Sequence, residues 1–258
     1  MVKQEDIIIF NDFNEKDYDN SIKRATAYAI LSVPYTWDRM GYGSDIDGIR
    51  KRITNIIKGK VAEYIFEFYC KSKGVNISTK DTQTEFWRYD KKDFVIDNTK
   101  FDLKNNFFFK SNGIVEDEIL EFPALIPVKQ YSDSVGYIFS FMSTKDFFNL
   151  ELSDDVLYEI SQINNGCSGQ QINNRPIYFT TERQYFLDMF DKYGKQKVID
   201  IYDRPELIIC GVKYPNDVTK EYFSYLPKDT TLQYKSGRIK TRTNNYYTKI
   251  KNLNPFKF

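Results

Sequence analysis

Residues 93–106, DFVIDNTKFDLKNN, place alternating apolar and polar side chains on both sides of a polar tetrad, Asp97-Asn98-Thr99-Lys100. Few structures accommodate that pattern other than a β-hairpin with two chemically different faces. Side chains alternate along a strand, and directly opposed residues of a hairpin share a face. A two-residue loop centred on Asn98-Thr99 pairs Ile96 with Phe101, Val95 with Asp102, Phe94 with Leu103 and Asp93 with Lys104. Phe94, Ile96, Phe101 and Leu103 then form an apolar face, and Asp93, Val95, Asp102 and Lys104 a charged one. A one-residue slip would exchange the faces of a strand, so the apolar set holds the register.

The charged face joins two carboxylates and an ammonium. Neighbouring carboxylates repel unless a cation or proton sits between them. Oxygen ligands on a fixed scaffold suit Mg²⁺, which keeps several waters and takes one or two protein carboxylates. A lysine beside such an ion can hold an attacking water or stabilise developing phosphoryl charge. That is the chemistry of phosphodiester hydrolysis. The plainer alternative is an ion pair on a solvated face.

Composition narrows the chemistry further. The 258 residues contain no histidine, which excludes Ser-His-Asp and Cys-His hydrolases, His-ligated zinc and His-dependent nuclease mechanisms. Carboxylates, lysine and a hard metal remain the natural hydrolytic tools. Hydrophobic residues at 41% supply a core, so disorder is not expected. The abundance of Tyr and Phe, alongside Lys, Asn and Ile, fits an AT-rich genome better than a set of stacking platforms. Three cysteines (Cys70, Cys167, Cys210) lack metal-ligand spacing and fit a reducing cytoplasm. MVKQEDIIIF does not read as a signal peptide, and no later stretch approaches a membrane span.

Along the chain, residues 44–73 read as a helix, with Ser44 and Asp47 as a capping-box variant and Gly74 as its stop. Ile53, Ile57, Val61, Ile65 and Phe68 form its buried stripe. Gly59 is expected to bend or split it and to leave room for a close approach. Glu63 lies off the stripe, and Glu67 one turn further on. Strands are expected at Phe122–Val128, Val135–Met142, Ile177–Thr180, Glu206–Lys213 and Tyr246–Ile250. Helices are expected over 144–162 and 182–195, a polar loop over 164–175, and a hairpin about Ser236-Gly237. These elements make a mixed α/β sheet with helices packed against it.

The order of a Glu-bearing helix (GKVAEYIFEFY), an Asp (DFVI) and an Asp-x-Lys (FDLKNN) resembles the PD-(D/E)XK nuclease superfamily, the restriction-endonuclease-like fold. The resemblance covers roughly residues 44–142. Lys92 stands where the pattern's proline would. Asp81 and Asp90-Lys91-Lys92 repeat the Asp spacing, but in a polar stretch without apolar backing. The resemblance implies one restriction-endonuclease-like domain over 1–258, with a catalytic core at about 44–142 and further strands, helices and DNA-binding elements over 143–258. It implies that Asp93 and Asp102 ligate Mg²⁺, that Lys104 orients or activates water, and that Glu63 assists the metal. Asp90 and Asp97 are the alternatives to Asp93, and Glu67 the alternative to Glu63. In-line attack on double-stranded DNA would leave 5′-phosphates. A type II restriction enzyme is the expected kind, and such enzymes commonly work as homodimers. The alternatives are a phage-encoded, repair or structure-selective nuclease, and a non-catalytic DNA-binding module of the same fold.

Net charge is +1, so a nucleic-acid surface has to come from local asymmetry. No acidic residue follows Asp229, while Lys235, Arg238, Lys240, Arg242, Lys249, Lys251 and Lys257 are positive and interleaved with Tyr246 and Tyr247. Arg50-Lys51-Arg52 is a second candidate for phosphate contact. The Asn- and Gln-rich loop 164–175 is a candidate for base reading.

Overall fold

The computed structural model describes residues 1–32, 45–79, 92–109, 116–144, 206–217, 223–234 and 237–257. The expected elements over 146–205, together with the 164–175 loop, Cys167, Asp81 and Asp90, lie outside them. The chain divides into two compact units, each drawn from separated segments. One comprises Met1–Phe13, Ala62–Asp146 and Asp203–Phe258, and the other Asn14–Val61 and Phe147–Tyr202. The architecture is mixed α/β, with few helices and a large curled mixed sheet.

Helix α1 (Glu15–Ser32) was not expected from the sequence. Asn14 starts it by accepting the Asp17 amide at 2.9 Å, and Tyr18, Ile22, Ala25 and Ala29 form its buried stripe. Helix α2 (Ile46–Ser72) matches the expected span and runs unbroken through Gly59. Among the described residues a Cβ added at Gly59 would meet nothing within 4 Å, so neither the split nor the close approach is found there. Its start is capped by Asp45, whose carboxylate accepts the Gly48 amide at 2.8 Å, and Ser44 lies outside the described residues. At its end the Val75 amide reaches Cys70 O and the Gly74 amide reaches Lys71 O, both at 3.0 Å, with Gly74 at φ 71°. This is a Schellman stop, where the left-handed backbone favours glycine.

The six-stranded sheet comprises β1 (Ile8–Phe10), β2 (Ile77–Ser78), β3 (Phe94–Ile96), β4 (Thr99–Phe109), β6 (Gly136–Thr144) and β7 (Glu206–Lys213), in the order β1-β7-β6-β4-β3-β2. Only the β4–β6 pair is parallel. Thr144 ends β6 and does not begin a helix. A second sheet joins β5 (Pro123–Pro127), β11 (Asn245–Lys249) and β8 (Ser224–Leu226) in the order β5-β11-β8. Strands β9 (Thr231–Tyr234) and β10 (Gly237–Lys240) pair separately as a ribbon, so Gly237 belongs to a strand and not to the expected loop, and Ser236 lies outside the described residues. The short helix α3 (Glu116–Ile119) precedes β5.

The β3–β4 register differs from the expected one by a shift of the loop. Phe94 pairs with Phe101 and Ile96 with Thr99, and the turn is Asp97-Asn98 at φ 46° and 66°. A two-residue hairpin turn whose twist matches the strands needs left-handed backbone at both positions. Asp and Asn tolerate that conformation, whereas β-branched Thr99 does not. Moving the loop by one residue changes the sum of partner numbers by two, so the faces survive.

Those faces organise the packing of this unit. Phe94, Ile96, Phe101 and Leu103 are all buried, and Phe94 packs on Phe66 of α2 with ring centroids 5.3 Å apart. Gly136 pairs with Phe101, and a Cβ there would meet the Phe101 ring at 2.3 Å, so only glycine admits the ring. The reverse face of the sheet carries Tyr137, Phe139, Phe141, Ile208 and Cys210. They form one core with Phe122, Ala124 and Ile126 around β5 and with Ile250 and Leu253 beyond β11.

Candidate active site

Asp102 and Lys104 stand two residues apart on β4, hence on one face of the strand. Their side chains form an ion pair, Lys104 Nζ to Asp102 Oδ2, at 2.7 Å, and they are only 17% and 7% exposed. The parallel pairing of β4 with β6 sets Asp102 beside Tyr137, and the pairing of β6 with β7 sets Tyr137 beside Lys213. Asp102, Tyr137 and Lys213 thus form a buried row across three strands.

Asp93 sits at the open end of the hairpin. Its amide donates to Phe101 O at 2.7 Å, and its Oδ2 accepts the Leu103 amide at 2.8 Å. The carboxylate is therefore held across β4, next in line to Asp102. Asp97 is in the turn, remote from that end of the hairpin.

The connection between β5 and β6 covers this row. Gln130 accepts Lys104 Nζ through Oε1 at 2.8 Å. The Tyr137 hydroxyl accepts the Ser132 amide at 2.6 Å and donates to Gln130 O at 3.0 Å. Tyr131 stacks on Tyr137, with centroids 5.8 Å apart and planes 8° from parallel. Lys104 Nζ and Lys213 Nζ each lie 5.9 Å from the Tyr137 ring centroid, and Lys213 Nζ lies 5.6 Å from that of Tyr131. Burial and the Asp102 charge push the Tyr137 hydroxyl well above the usual phenol range, although the Ser132 hydrogen bond opposes this. Burial lowers the Lys213 ammonium below the usual lysine range, against the pull of Asp217 and Asp133. Lys213, Gln130 and Tyr137 were not singled out from sequence. The one available signal was Lys213, the charge that closes the apolar run 207–212 of β7.

Glu63 is half-buried. It precedes Phe66 by one turn on α2, and Phe66 packs on the face of β3–β4 opposite Asp102 and Lys104. Among the described residues, no group of three or more Asp, Glu, Cys or His side chains gathers closely enough to hold a metal ion. The structure therefore does not bring Glu63 into one cluster with Asp93 and Asp102. Glu67, the alternative, pairs with Lys71 on the same helix at 2.6 Å.

The basic candidates divide sharply. Arg52 is 2% exposed and is not presented to any surface partner. Lys51 is exposed and Arg50 half-buried. Lys235 lies outside the described residues. Arg238 and Lys240 are exposed on β10, and Arg242 is exposed just beyond it. Lys249 and Lys251 both bind Glu121, at 2.6 and 2.5 Å, and hold its carboxyl below the usual range. The sequence reading of an uninterrupted positive tail overlooked this acid, which comes from far upstream.

Compared with models of known families, with curated proteins and with solved structures, the chain finds no match. No helix among the described residues is long and apolar enough to cross a membrane.

Proposed function

We propose that the protein is a Mg²⁺-dependent endodeoxyribonuclease acting on double-stranded DNA, in the manner of a type II restriction enzyme. The observation that carries this reading is the recessed Asp102–Lys104 pair on the polar face of an apolar-backed hairpin, with Asp93 fixed at the hairpin's open end. An ion pair of no function is more cheaply made on an exposed surface, because burying two charges costs several kcal/mol each.

The donor set fits the metal. Carboxylate oxygens are hard ligands, and Mg²⁺ needs only one or two of them beside its waters. Asp93 and Asp102 would hold the ion, which when bound would supply Lewis-acid stabilisation of phosphoryl charge and an acidified water. The chain's own residues do the positioning. The Leu103 amide fixes the Asp93 carboxylate, and Gln130 and Asp102 fix the Lys104 ammonium. Held there, the ammonium orients the attacking water and faces the charge that builds on the phosphate oxygens. A general base other than histidine is required, and this face offers carboxylates and lysine.

The test is incubation of the full chain with unmethylated plasmid and phage DNA in Mg²⁺, in Ca²⁺ and in EDTA, beside Lys104→Ala and Asp93→Asn. Melting curves establish that the variants are folded. Discrete fragments in Mg²⁺ only, absent with both variants, are the expected result. A smear lost in the variants would keep the catalytic residues and favour a repair or structure-selective nuclease. Equal inertness of wild type and variants on duplex, branched and single-stranded DNA would refute the reading.

A further inference from the structure

We infer that the β9–β10 ribbon is the base-reading element, entering the major groove of duplex DNA with Gln233 and Arg238 against base edges; this rests on the nuclease reading above. The ribbon is a two-stranded sheet hydrogen-bonded to neither of the others. Its residues alternate cleanly. Tyr234 and Ile239 pack on the core, with the Tyr234 ring 4.9 Å from that of Phe122, and Leu232 is half-buried. Thr231, Gln233, Arg238 and Lys240 are exposed on the other face.

Register makes this outward face specific. Arg238 lies directly opposite Gln233, and Lys240 opposite Thr231. Lys240 answers Asp229 at 3.3 Å, whereas neither Gln233 nor Arg238 has a side-chain partner among the described residues. An Arg and a Gln side by side therefore present a guanidinium fork and an amide outward with their donors and acceptors uncommitted. Those groups match the O6/N7 edge of guanine and the N6/N7 edge of adenine, and the major groove admits a two-stranded ribbon.

The ribbon is also held at its root, which lowers the ordering cost of binding. The Asp229 amide reaches Thr241 O at 2.8 Å and the Thr241 amide reaches Thr230 O at 2.9 Å. Thr241 Oγ1 accepts the Thr230 amide at 3.0 Å and donates to Pro227 O at 2.9 Å, while Asn244 accepts the Lys228 amide at 2.8 Å.

Selection from a randomised duplex pool in Ca²⁺, with the full chain, tests this directly. Wild type is compared with Arg238→Ala, Gln233→Ala and Lys104→Ala, the last as a catalytic-site control. Wild type and Lys104→Ala should enrich the same motif. Arg238→Ala should lose preference at a guanine position and bind the wild-type site about tenfold or more weakly, with little change on random duplex. Gln233→Ala should relax an adenine position. Both positions are exposed, so melting temperatures should match wild type. If wild type enriches a motif that both variants keep, the ribbon is not the reader, although the nuclease reading stands. Duplex binding without any motif, alongside Mg²⁺-dependent cleavage, has the same meaning. A wild type that neither binds nor cuts duplex DNA overturns both.

Discussion

Lys104 and Asp102 illustrate how stability and chemistry are tied together in single side chains. Asp102 is 5% exposed, and its carboxylate pairs with the Lys104 ammonium. Lys104→Met should therefore destabilise the fold by about 3 kcal/mol, because a buried carboxylate loses its counter-charge. Asp102→Asn in the same chain should restore much of that loss, giving a coupling above ~1 kcal/mol in a double-mutant cycle read by urea unfolding. The double variant should stay folded and inactive, separating lost chemistry from lost structure. A Lys104→Met protein as stable as wild type would mean the pair is effectively solvated. Asp93, Asp102 and Lys104 were legible because strand parity is local: it follows from a dozen consecutive residues. Tyr137 and Lys213 were not, since they come beside Asp102 only through the pairing of β4 with β6 and of β6 with β7, and Gln130 reaches Lys104 from the connection between β5 and β6. Nothing within a segment encodes which distant strand will lie next to it.

Among the elements, the same distinction separates what could be read from what could not. The span of β7 and the C-terminal stop of α2 follow from local residues, and both match the sequence reading. The start of α1 was equally local, Asn14 with Asp17 three residues on, but went unread because its stripe of Tyr, Ile and two Ala is weakly apolar. The hairpin turn was displaced by one residue because the competing loops differ only in which side chains take a left-handed backbone. Glu121 shows the cost of reading charge along a segment. It lies in the turn before β5, and the antiparallel pairing of β5 with β11 brings it to Lys249 and Lys251. If those lysines serve DNA, Glu121 restrains them. Glu121→Gln should raise affinity for random duplex and steepen the salt dependence of binding by about 1–2 in log–log slope, as one or two further phosphates are neutralised. The carboxylate is about half exposed, so stability should hardly change. An unchanged salt slope would place β11 outside the DNA surface.

At the scale of the whole molecule, buried thiols and phenols among the described residues set an alkaline limit to stability. Cys70 is fully buried, and burial, with the nearby Glu67 charge, pushes its thiol from 9.0 up to about 12. Burial raises Cys210, Tyr69 and Tyr137 as well. Between pH 9 and 12 the unfolded chain has released the Cys70 proton while the folded chain retains it, so the unfolded state binds fewer protons and stability falls as pH rises. Below pH 9 both states hold the proton and the contribution is intact. Lys58 and Lys213 act with the opposite sign. Burial lowers both, so the unfolded chain holds more protons just below 10.5, and folding gains there as pH rises. Among the described residues the thiols and phenols are the larger set, and a net loss follows. Cys70 alone should account for about 2 kcal/mol between pH 8 and pH 10.5, since each unit of differential titration is worth 1.36 kcal/mol. Urea unfolding at those two values is therefore expected to show a steep loss for wild type. Cys70→Ala should be somewhat less stable at pH 8, having lost a buried sulfur, yet decline less on the way to pH 10.5. Parallel declines in the two proteins would mean that Cys70 titrates as an ordinary thiol, and the Tyr69 and Tyr137 phenols would then have to carry the alkaline limit.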